Sequence, residues 1–395
     1  MKKFFLFLAA GFFLLLTIYS LSSKLNNKSV IVGAQRTLQY IPFLQEKKVA
    51  IVANHTSLIG NVHLVDSLIS AGITIEKIFS PEHGFRGDVD AGEYFTDYID
   101  SITGLQVISL YGKNFKPKAK DLEGIEIMLF DIQDVGVRFY TYISTMHYIL
   151  EACAENNIDL IILDRPNPNG FYIDGPVMQN NQMSFVGLHP IPVVYGMTIG
   201  ELAMMINGEK WLKNNLTCKL KVITCENYTH NTYYDLPVNP SPNLQNMAAI
   251  YLYPSLGLFE GTIASVGRGT DFPFRVIGFP GYSDTTFKFT PKSIEGVSKY
   301  PMYKDSLCFG INLQNFSANE LREKNQIDLN WIIKIYNNYQ DSSFFNNYFE
   351  MLAGNITLRN QIINGTSVEE IRKSWQPELN TFKQKRQNYL LYPDF

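Results

Sequence analysis

The sequence predicts an α/β protein, in which a doubly wound, mostly parallel sheet is followed by a second, smaller α+β domain. Three observations support this prediction. Short apolar stretches alternate with helical patterns from about residue 47 to residue 225, as they do when strands are buried on both faces of a sheet. Prolines then interrupt the chain between residues 235 and 254. Beyond about residue 275, strands and helices are mixed without that alternation.

The first domain is expected to hold five strands and three helices. Each strand is a short apolar run, and the strands are Lys48–Ala53, Ile75–Phe79, Ile125–Phe130, Asp159–Leu163 and Leu220–Thr224. Each helix has an apolar face at helical spacing, and the helices are His63–Ala71, Thr141–Asn156 and Thr198–Leu212. Thr198 and Glu201 have the spacing of a capping box, so the third helix is expected to begin there.

The second domain begins where prolines break regular structure, and these prolines are Pro237, Pro240, Pro242 and Pro254. They predict a crossing between domains. After it we predict a strand at Ser306–Leu313 and helices at Leu329–Tyr339, Ser342–Ala353 and Ser367–Ser374. The predicted domains are therefore residues 28–235 and 236–395, after an N-terminal segment of residues 1–23.

That N-terminal segment has the composition of an export signal. Lys2 and Lys3 precede an apolar run from Phe4 to Ile18, and small residues that include Ser20 and Ser22 follow it. The run is shorter than the roughly 20 residues that span a bilayer, which favours a cleaved signal peptide over an N-terminal anchor. We therefore expect an exported protein of the periplasm or cell envelope. Only an uncleaved N-terminus would hold it at the inner membrane.

Composition limits the partners. A formal net charge of −3 and the lack of a concentrated basic surface argue against nucleic acid. The chain has no G-x-G-x-x-G after a strand, no phosphate loop and no G-x-S-x-G or S-x-x-K motif, so no organic cofactor is expected. Its four cysteines match no zinc spacing, and no H-E-x-x-H occurs. A metal site built from His55, His83 and Asp131 is the less favoured alternative.

Dense polar clusters follow four of the predicted strands. They are Asn54–Ser57, Ser80–Gly87, Asp131–Arg138 and Asp164–Gly170. Because ligands of open parallel sheets bind beyond the carboxyl ends of the strands, these clusters predict one polar catalytic cleft. Each cluster also has a structural interpretation, since such residues cap helices and form buried ion pairs.

Paired carboxyl groups are what glycoside hydrolysis usually requires, one as acid and one as base or nucleophile. The candidates in this chain are Glu82, Asp131, Asp134, Asp164, Glu260 and Asp271. Glu82 and His83 stand between Pro81 and Gly84 in a strand-end loop, where a purely structural purpose is least apparent. The spacing of the carboxylates along the chain does not decide between a retaining, an inverting and a substrate-assisted course.

Several motifs together resemble the exo-β-N-acetylmuramidase (NamZ) family of peptidoglycan glycoside hydrolases. They are SPEHGFRG at Ser80–Gly87, DIQDVGVRFYT at Asp131–Thr141, LDRPNPN at Leu163–Asn169, YPSLGLFEGT at Tyr253–Thr262 and SVGRGTDFPF at Ser265–Phe274. The resemblance covers nearly all of the mature chain. It implies a Rossmann-like first domain, a cleft between the two domains, and release of N-acetylmuramic acid from non-reducing ends.

The resemblance also implies roles for residues. Glu82 is the first choice for a catalytic carboxylate, His83 is expected to orient it, and Asp131, Asp164 and Glu260 are alternatives for its partner. Arg86, Arg138, Arg165 and Arg268 are candidates for binding the lactyl carboxylate of muramic acid, since arginine pairs with carboxylates bidentately. The remaining candidates for binding the saccharide substrate are Asn54, His55, Asp134, Asn167 and Asp271.

Departures from the family pattern fall at Asn169, Phe171, Asp174 and Gly278–Tyr282, and they concern the rims of the cleft. Two other functions stay open at this point. One is a peptidoglycan-binding protein that has lost turnover, and the other is a metal-assisted hydrolase of another bond.

Overall fold

The computed structural model describes residues 29–87, 95–339 and 341–395. The predicted signal peptide or anchor at residues 1–23 lies outside the described residues. Within the described ranges, no helix combines the length and the apolar character that a membrane span requires.

The strands fall into one large sheet and smaller sheets. In chain order they are β1 Val49–Ala53, β2 Leu58–Ile59, β3 Val62–His63, β4 Ile75–Ser80, β5 Tyr98–Ile99, β6 Gln106–Ser109, β7 Ile127–Asp131, β8 Asp159–Leu163, β9 Asp174–Val177, β10 Pro192–Val194, β11 Leu220–Ile223, β12 Val276–Phe279, β13 Lys288–Phe289 and β14 Cys308–Asn312.

The helices of the described chain are mostly short. The α-helices are α1 Ile41–Leu44, α2 Leu64–Ser70, α3 Tyr142–Asn156, α4 Ile199–Gly208, α5 Met247–Leu256, α6 Ala318–Lys324, α7 Asn330–Tyr339, α8 Tyr348–Ala353, α9 Thr357–Ile363, α10 Val368–Ser374 and α11 Gln376–Arg386. The 3₁₀ turns are Gly33–Gln35, Thr37–Gln39, Ala119–Asp121, Asn180–Gln182, Lys213–Asn215, Gly257–Gly261, Ser342–Phe344 and Gln387–Tyr389.

The predicted fold class is confirmed by a seven-stranded sheet with the order β11-β8-β7-β1-β4-β6-β5. All neighbours in it are parallel except β5, which pairs antiparallel with β6. The chain starts at the centre, moves outward through β4 and β6, and returns to the other side of β1 with β7 and β8. The ends of β1, β4 and β7 therefore form the point where strand order reverses, which is where such sheets bind ligands.

Side chains alternate between two cores along the central strands. Val52 and Phe130 belong to the larger core, which α3 and α4 share with the second half of the chain. Ile51 and Leu129 belong to the smaller core, which is covered by α2 and the segment around Tyr40. Because each central strand is buried on both faces, it consists of a continuous apolar run, which explains why the strands were predictable.

The C-terminal part packs directly onto the larger core. Its three-stranded antiparallel sheet has the order β12-β14-β13, and helices α6 to α11 follow this sheet along the chain. The predicted strand Ser306–Leu313 contains β14. The predicted helix Ser342–Ala353 is divided in the structure, because irregular residues separate the 3₁₀ turn Ser342–Phe344 from α8.

The prediction that the prolines break regular structure is wrong at one position. Pro254 was expected to break regular structure, but it lies inside α5. Proline lacks an N–H, so the carbonyl of Ile250 loses its usual intrahelical donor. The side-chain amide of Asn169 donates to that carbonyl at 3.4 Å, and Asn246 caps the start of the helix by accepting from Ala249 N. Tertiary contacts therefore replace the hydrogen bond that the proline removes.

Helix α11 and the strands β5 and β6 were also not predicted.

Arg138 joins the two halves of the protein. Its side chain is fully buried, and its Nη1 donates to the carbonyls of Pro176 and Ile191, each at 2.8 Å. Its Nη2 donates to the carbonyls of Leu352 and Ala353 at the end of α8, also at 2.8 Å. Burial lowers the pKa of Arg138 to about 9. The guanidinium is thus committed to backbone carbonyls, which corrects the expectation that it binds substrate.

We expect Arg138→Met to destabilise the fold strongly. The substitution keeps an apolar stem but removes the Arg138 donor from four buried carbonyls, of which Ile191 O still accepts from Met178 N, and breaking such buried charged contacts costs about 3–5 kcal/mol in free energy of unfolding. Urea denaturation followed by circular dichroism measures the change. Lys292→Met is the control, because Lys292 only pairs with the exposed Asp305 and its removal should leave the midpoint unchanged. Equal midpoints for the two variants would contradict the role of Arg138.

Candidate active site

A cavity of about 640 Å³ opens where the carboxyl ends of the strands meet the C-terminal part. It contains four of the residues that the sequence singled out, namely Glu82, His83, Glu260 and Arg268. Tyrosines and other aromatic residues supply most of the remaining wall. The structure therefore brings these four residues together, whereas the other predicted site residues do not line the cavity.

Glu82 is placed by a strained turn directly after β4. Gly84 N donates to Pro81 O at 3.2 Å, and both His83 and Gly84 have a φ of 76°. Glycine adopts this left-handed region freely, but for the buried His83 it costs roughly 1–3 kcal/mol. Strain of this kind clusters at functional sites, and here it directs Glu82 into the cavity. The side-chain hydroxyl of Thr141 lies 3.5 Å from Glu82 Oε2.

Glu260 reaches the cavity from the 3₁₀ turn Gly257–Gly261 that follows α5. Its glycines allow a close approach of neighbouring segments. A Cβ at Gly261 would lie 2.4 Å from the Cα of Phe349 in α8, and one at Gly257 would lie 2.3 Å from the ring of Phe139. The turn therefore packs closely against both Phe139 and Phe349, and this packing fixes the position of Glu260.

Arg268 holds Glu260 as an anion. Its Nε and Nη2 lie 2.9 and 2.7 Å from Glu260 Oε1. Although burial disfavours the charge, the carboxylate of Glu260 keeps the pKa of Arg268 above its usual value. The guanidinium also lies over the ring of Phe274, 5.0 Å from its centroid. The cavity thus contains a paired carboxylate and, apart from it, the carboxylate of Glu82.

Three tyrosines surround these carboxylates, although the sequence had not singled them out. Burial raises the pKa of Tyr142, and the charge of Glu82 adds to the effect. Burial also raises the pKa values of Tyr253 and Tyr348, with contributions from Glu260 and Glu82. All three phenols therefore stay protonated and can donate hydrogen bonds to a carboxylate or a sugar. Tyr253 lies in a recognised motif, but no motif marked Tyr348.

Asp131 and Arg165 form a buried ion pair away from the cavity. Arg165 Nε and Nη2 lie 2.5 and 2.8 Å from the two oxygens of Asp131. Arg165 also donates to the carbonyl of Leu58 at 3.1 Å. Both residues are satisfied by each other and by the backbone, which corrects the expectations that Asp131 is catalytic and that Arg165 binds the lactyl group.

Asp164 stabilises the start of α4. It accepts from Thr198 Oγ1 at 2.7 Å, from Gly200 N at 2.9 Å and from the hydroxyl of Tyr392 at 2.6 Å. Burial raises its pKa to about 6, and these donors oppose that shift. Asp164 therefore anchors a helix and the C-terminal end of the chain, and the structure does not place it among the reacting groups.

Asp134 and Asn167 are also internal. Asp134 accepts from the hydroxyl of Tyr195 and from Gly136 N, and burial raises its pKa to about 6. Asn167 donates to Met197 O at 2.7 Å. Neither lines the cavity, so the prediction that they bind the saccharide is corrected. Both are buried and bond to neighbouring groups of the protein, while Asp134 Oδ1 has no hydrogen-bond partner among the described residues.

The other predicted binding residues lie beside the cavity or on the surface. Asn54 accepts from Thr56 N at 2.9 Å and closes a local turn, and His55 Nε2 lies 2.9 Å from Asn239 O. Arg86 pairs with Asp66 and Asp100. Asp271 is exposed to solvent. Asn54, His55, Arg86 and Asp271 do not line the cavity, so their predicted contact with substrate has no support in the geometry.

The alternative metal site does not form. Among residues 29–87, 95–339 and 341–395, no three histidine, cysteine, aspartate or glutamate side chains gather as metal ligands would. His55, His83 and Asp131 therefore do not make the site that their positions along the sequence allowed. The four cysteines, Cys153, Cys218, Cys225 and Cys308, are free and buried.

Comparisons with known proteins agree with the motifs. The family model described as exo-beta-N-acetylmuramidase NamZ, N-terminal, matches residues 49–248, and its C-terminal counterpart matches residues 251–392. The chain is 40% identical over 370 residues to the peptidoglycan beta-N-acetylmuramidase NamZ of Bacillus subtilis strain 168, with 88% of each chain covered.

Two solved structures are similar along nearly their whole length, and both are of DUF1343 family proteins from Bacteroides fragilis. The first is 47% identical and has a TM-score of 0.87, with 93% of this chain and 100% of that chain covered. The second is 28% identical and has a TM-score of 0.79, with 92% and 99% covered. The fold and the arrangement of its two parts are therefore shared with these proteins.

Proposed function

This chain belongs to the exo-β-N-acetylmuramidase NamZ family and is a glycosidase, and we propose that its cavity removes terminal N-acetylmuramic acid from the non-reducing ends of peptidoglycan fragments. One observation carries the assignment to this cavity. Glu82 comes from the first matched region, Glu260 comes from the second, and both line the same cavity. Two carboxyl groups around one glycosidic bond are the usual requirement of the reaction.

The surroundings of the two carboxyl groups assign them different tasks. Glu260 forms an ion pair with Arg268, so its carboxylate is available to oppose the positive charge that develops on the anomeric carbon. We assign the role of the acid to Glu82, the other carboxyl group that the sequence singled out and that lines the cavity, whose Oε2 lies 3.5 Å from the hydroxyl of Thr141. Glu82 therefore donates its proton to the glycosidic oxygen as the bond to the anomeric carbon breaks. Water then adds to the anomeric carbon, supplies the hydroxyl of the released sugar and returns a proton to Glu82.

Arg268 recognises the lactyl carboxylate of the substrate. It is the one arginine among the described residues that line the cavity, since Arg86, Arg138 and Arg165 are engaged elsewhere. A charge-assisted contact from its guanidinium would favour muramic acid over glucosamine, which lacks the carboxylate. The ion pair with Glu260 keeps the guanidinium oriented before the substrate arrives.

We also propose that the protein is exported to the periplasm or cell envelope. The supporting observations are the two lysines, the apolar run and the small residues at its N-terminus, together with a substrate class that is found outside the cytoplasm. An uncleaved segment would hold it at the inner membrane. Fractionation of the host followed by mass analysis of the N-terminus tests this, and recovery of the intact chain from the cytoplasm would contradict it.

Glu82→Gln should abolish most of the activity. We expect release of N-acetylmuramic acid from a MurNAc–GlcNAc disaccharide to fall at least about a hundredfold, because the amide cannot deliver the proton. The released sugar is quantified by chromatography, and thermal denaturation checks the fold. Glu123→Gln is the matched control, since Glu123 is exposed near the opposite, amino end of β7. If the wild type binds the disaccharide without cleaving it, the protein is a non-catalytic binder.

Arg268→Met should remove the preference for a free lactyl carboxylate. The wild type is expected to cleave the disaccharide about ten- to hundredfold better than its lactyl amide, since a hydrogen bond to a charged group contributes about 1.5–3 kcal/mol. In the variant this ratio of kcat/KM values should approach one. If Arg268→Met lowered the activity only because Glu260 had moved, kcat/KM would fall equally for both substrates. The ratio of the two values would then stay as in the wild type. An unchanged ratio would therefore contradict the role of Arg268.

A further inference from the structure

Two apolar residues occupy the tip of a tight turn at the mouth of the cavity. Ser184 and Gly187 exchange backbone hydrogen bonds of 3.1 and 2.9 Å, which leaves Phe185 and Val186 as the two residues of the turn. Both line the cavity. Turns of this kind are usually made from glycine, asparagine, aspartate, proline or serine, so forming the turn does not require these side chains. Val186 packs against the hydrophobic core, whereas Phe185 belongs to a group of aromatic rings beside the cavity.

Phe185 belongs to a larger aromatic wall formed by Tyr111, Phe115, Tyr148 and Phe185. The ring of Phe185 stacks on Phe115 with centroids 4.0 Å apart at 27°, and it lies nearly parallel to Tyr148 at 6.3 Å and 11°. Tyr111, which also lines the cavity, meets Phe115 edge-on at 6.4 Å. All four rings are only partly buried. A contiguous group of part-exposed aromatic rings beside a cavity is typical of a binding surface.

Ion pairs hold this wall in place before any ligand binds. Lys116, the neighbour of Phe115, donates to Glu151 and Glu155, each at 2.8 Å. Both glutamates are on α3, the helix that carries Tyr148. Glu151 is almost buried, so the pair is shielded from solvent better than a surface pair. The loop after β6 is thereby fixed against the helix, and a preformed wall avoids the entropic cost of ordering its rings on binding.

The rings of the wall are partly exposed, whereas two of the tyrosines beside the carboxylates are buried, with Tyr142 2% and Tyr253 6% exposed. The third of these tyrosines, Tyr348, is 37% exposed, and Tyr300 of the C-terminal part is 82% exposed, so the cavity opens to solvent on that side as well. An exo-acting glycosidase holds the terminal sugar next to the carboxyl groups. The sugar that leaves then lies against the part-exposed lining, to which the aromatic wall belongs.

We propose that the aromatic wall is the subsite for the leaving sugar, with the apolar face of an N-acetylhexosamine ring against Phe185 and with Tyr111 lining the same part of the cavity. The inference rests on the proposed function, since it requires a glycosidic bond at Glu82 and Glu260. A pyranose ring offers a flat face of C–H groups, which the negatively polarised face of an aromatic ring attracts. Phe185, which stacks on Phe115 and lies nearly parallel to Tyr148, is the ring of this group that lines the cavity and can meet such a face.

Phe185→Leu tests the subsite, because leucine keeps the apolar volume but removes the flat face. We expect kcat/KM for the MurNAc–GlcNAc disaccharide to fall about five- to tenfold, given the strength of aromatic stacking. For methyl β-N-acetylmuramide, whose leaving group has no ring, kcat/KM should stay within about twofold of the wild type. Inhibition by free N-acetylglucosamine should weaken in parallel with the loss on the disaccharide.

Phe287→Leu is the matched control. Phe287 is also a partly buried ring in a stacked pair, 6.0 Å from Phe289, but it does not line the cavity. Its variant should keep the wild-type ratio of the two substrates. Equal losses of Phe185→Leu on both substrates, or a loss seen only with peptide-bearing muramic acid, would overturn the sugar subsite. If the wild type cleaves neither substrate, the proposed function itself is wrong. If the wild type cleaves both substrates and Phe185→Leu leaves the ratio of their kcat/KM values unchanged, only the proposed subsite is wrong.

Discussion

The contact on which the rest of the structure depends is the one between the Arg138 guanidinium and four backbone carbonyls. Because the two parts of the chain meet at the cavity, any shift between them would separate Glu82 from Glu260. Arg138 prevents this by donating to carbonyls on both sides of the junction. Gly354 is part of the same junction, since a Cβ there would lie 2.6 Å from Arg138 Nη2. The cation is buried without a carboxylate partner, and the carbonyl dipoles take the place of a counter-ion.

Most of the polar residues at the strand ends stabilise the platform on which the site is built. The loops after β1, β7 and β8 bond to one another, through the Asp131–Arg165 pair and through Gln133 N, which donates to Thr56 Oγ1 at 3.0 Å. Most buried polar groups find partners inside a protein, and these contacts supply them in the loops, although Gln133 Oε1 and Asp134 Oδ1 have no hydrogen-bond partner among the described residues. The loop after β4 lies at the edge of the cavity and turns Glu82 into it through the left-handed His83. Carboxyl groups that line the cavity and carboxyl groups that are paired inside the protein therefore arise from similar sequence clusters and differ in what surrounds them.

An exo-acting enzyme needs a cavity that is closed at one end, and this chain closes it with aromatic residues. Tyr142 and Tyr253 are buried beside the carboxyl groups, while Phe185 and Tyr111 remain partly exposed at the mouth. The two sets of rings differ in exposure. Burial keeps the inner phenols protonated. In the subsite that we propose, the ring of Phe185 contacts the sugar that follows the terminal one.

Sequence patterns alone predicted the fold class and the family. They also predicted the five parallel strands that the apolar runs form, and the capping box at Thr198. These features are local or nearly so, because a strand buried on both faces must be apolar and a helix start needs a cap. Unusual motifs singled out Glu82, His83, Glu260 and Arg268, which line one cavity, and their roles stay predictions. Tertiary structure alone decided that Asp131, Asp164 and Arg138 are structural, that Pro254 is tolerated in a helix, and that Tyr348 and Phe185 line the cavity. Those outcomes depend on which distant groups satisfy a buried charge or carbonyl, and such partners leave no trace in the order of residues along the chain.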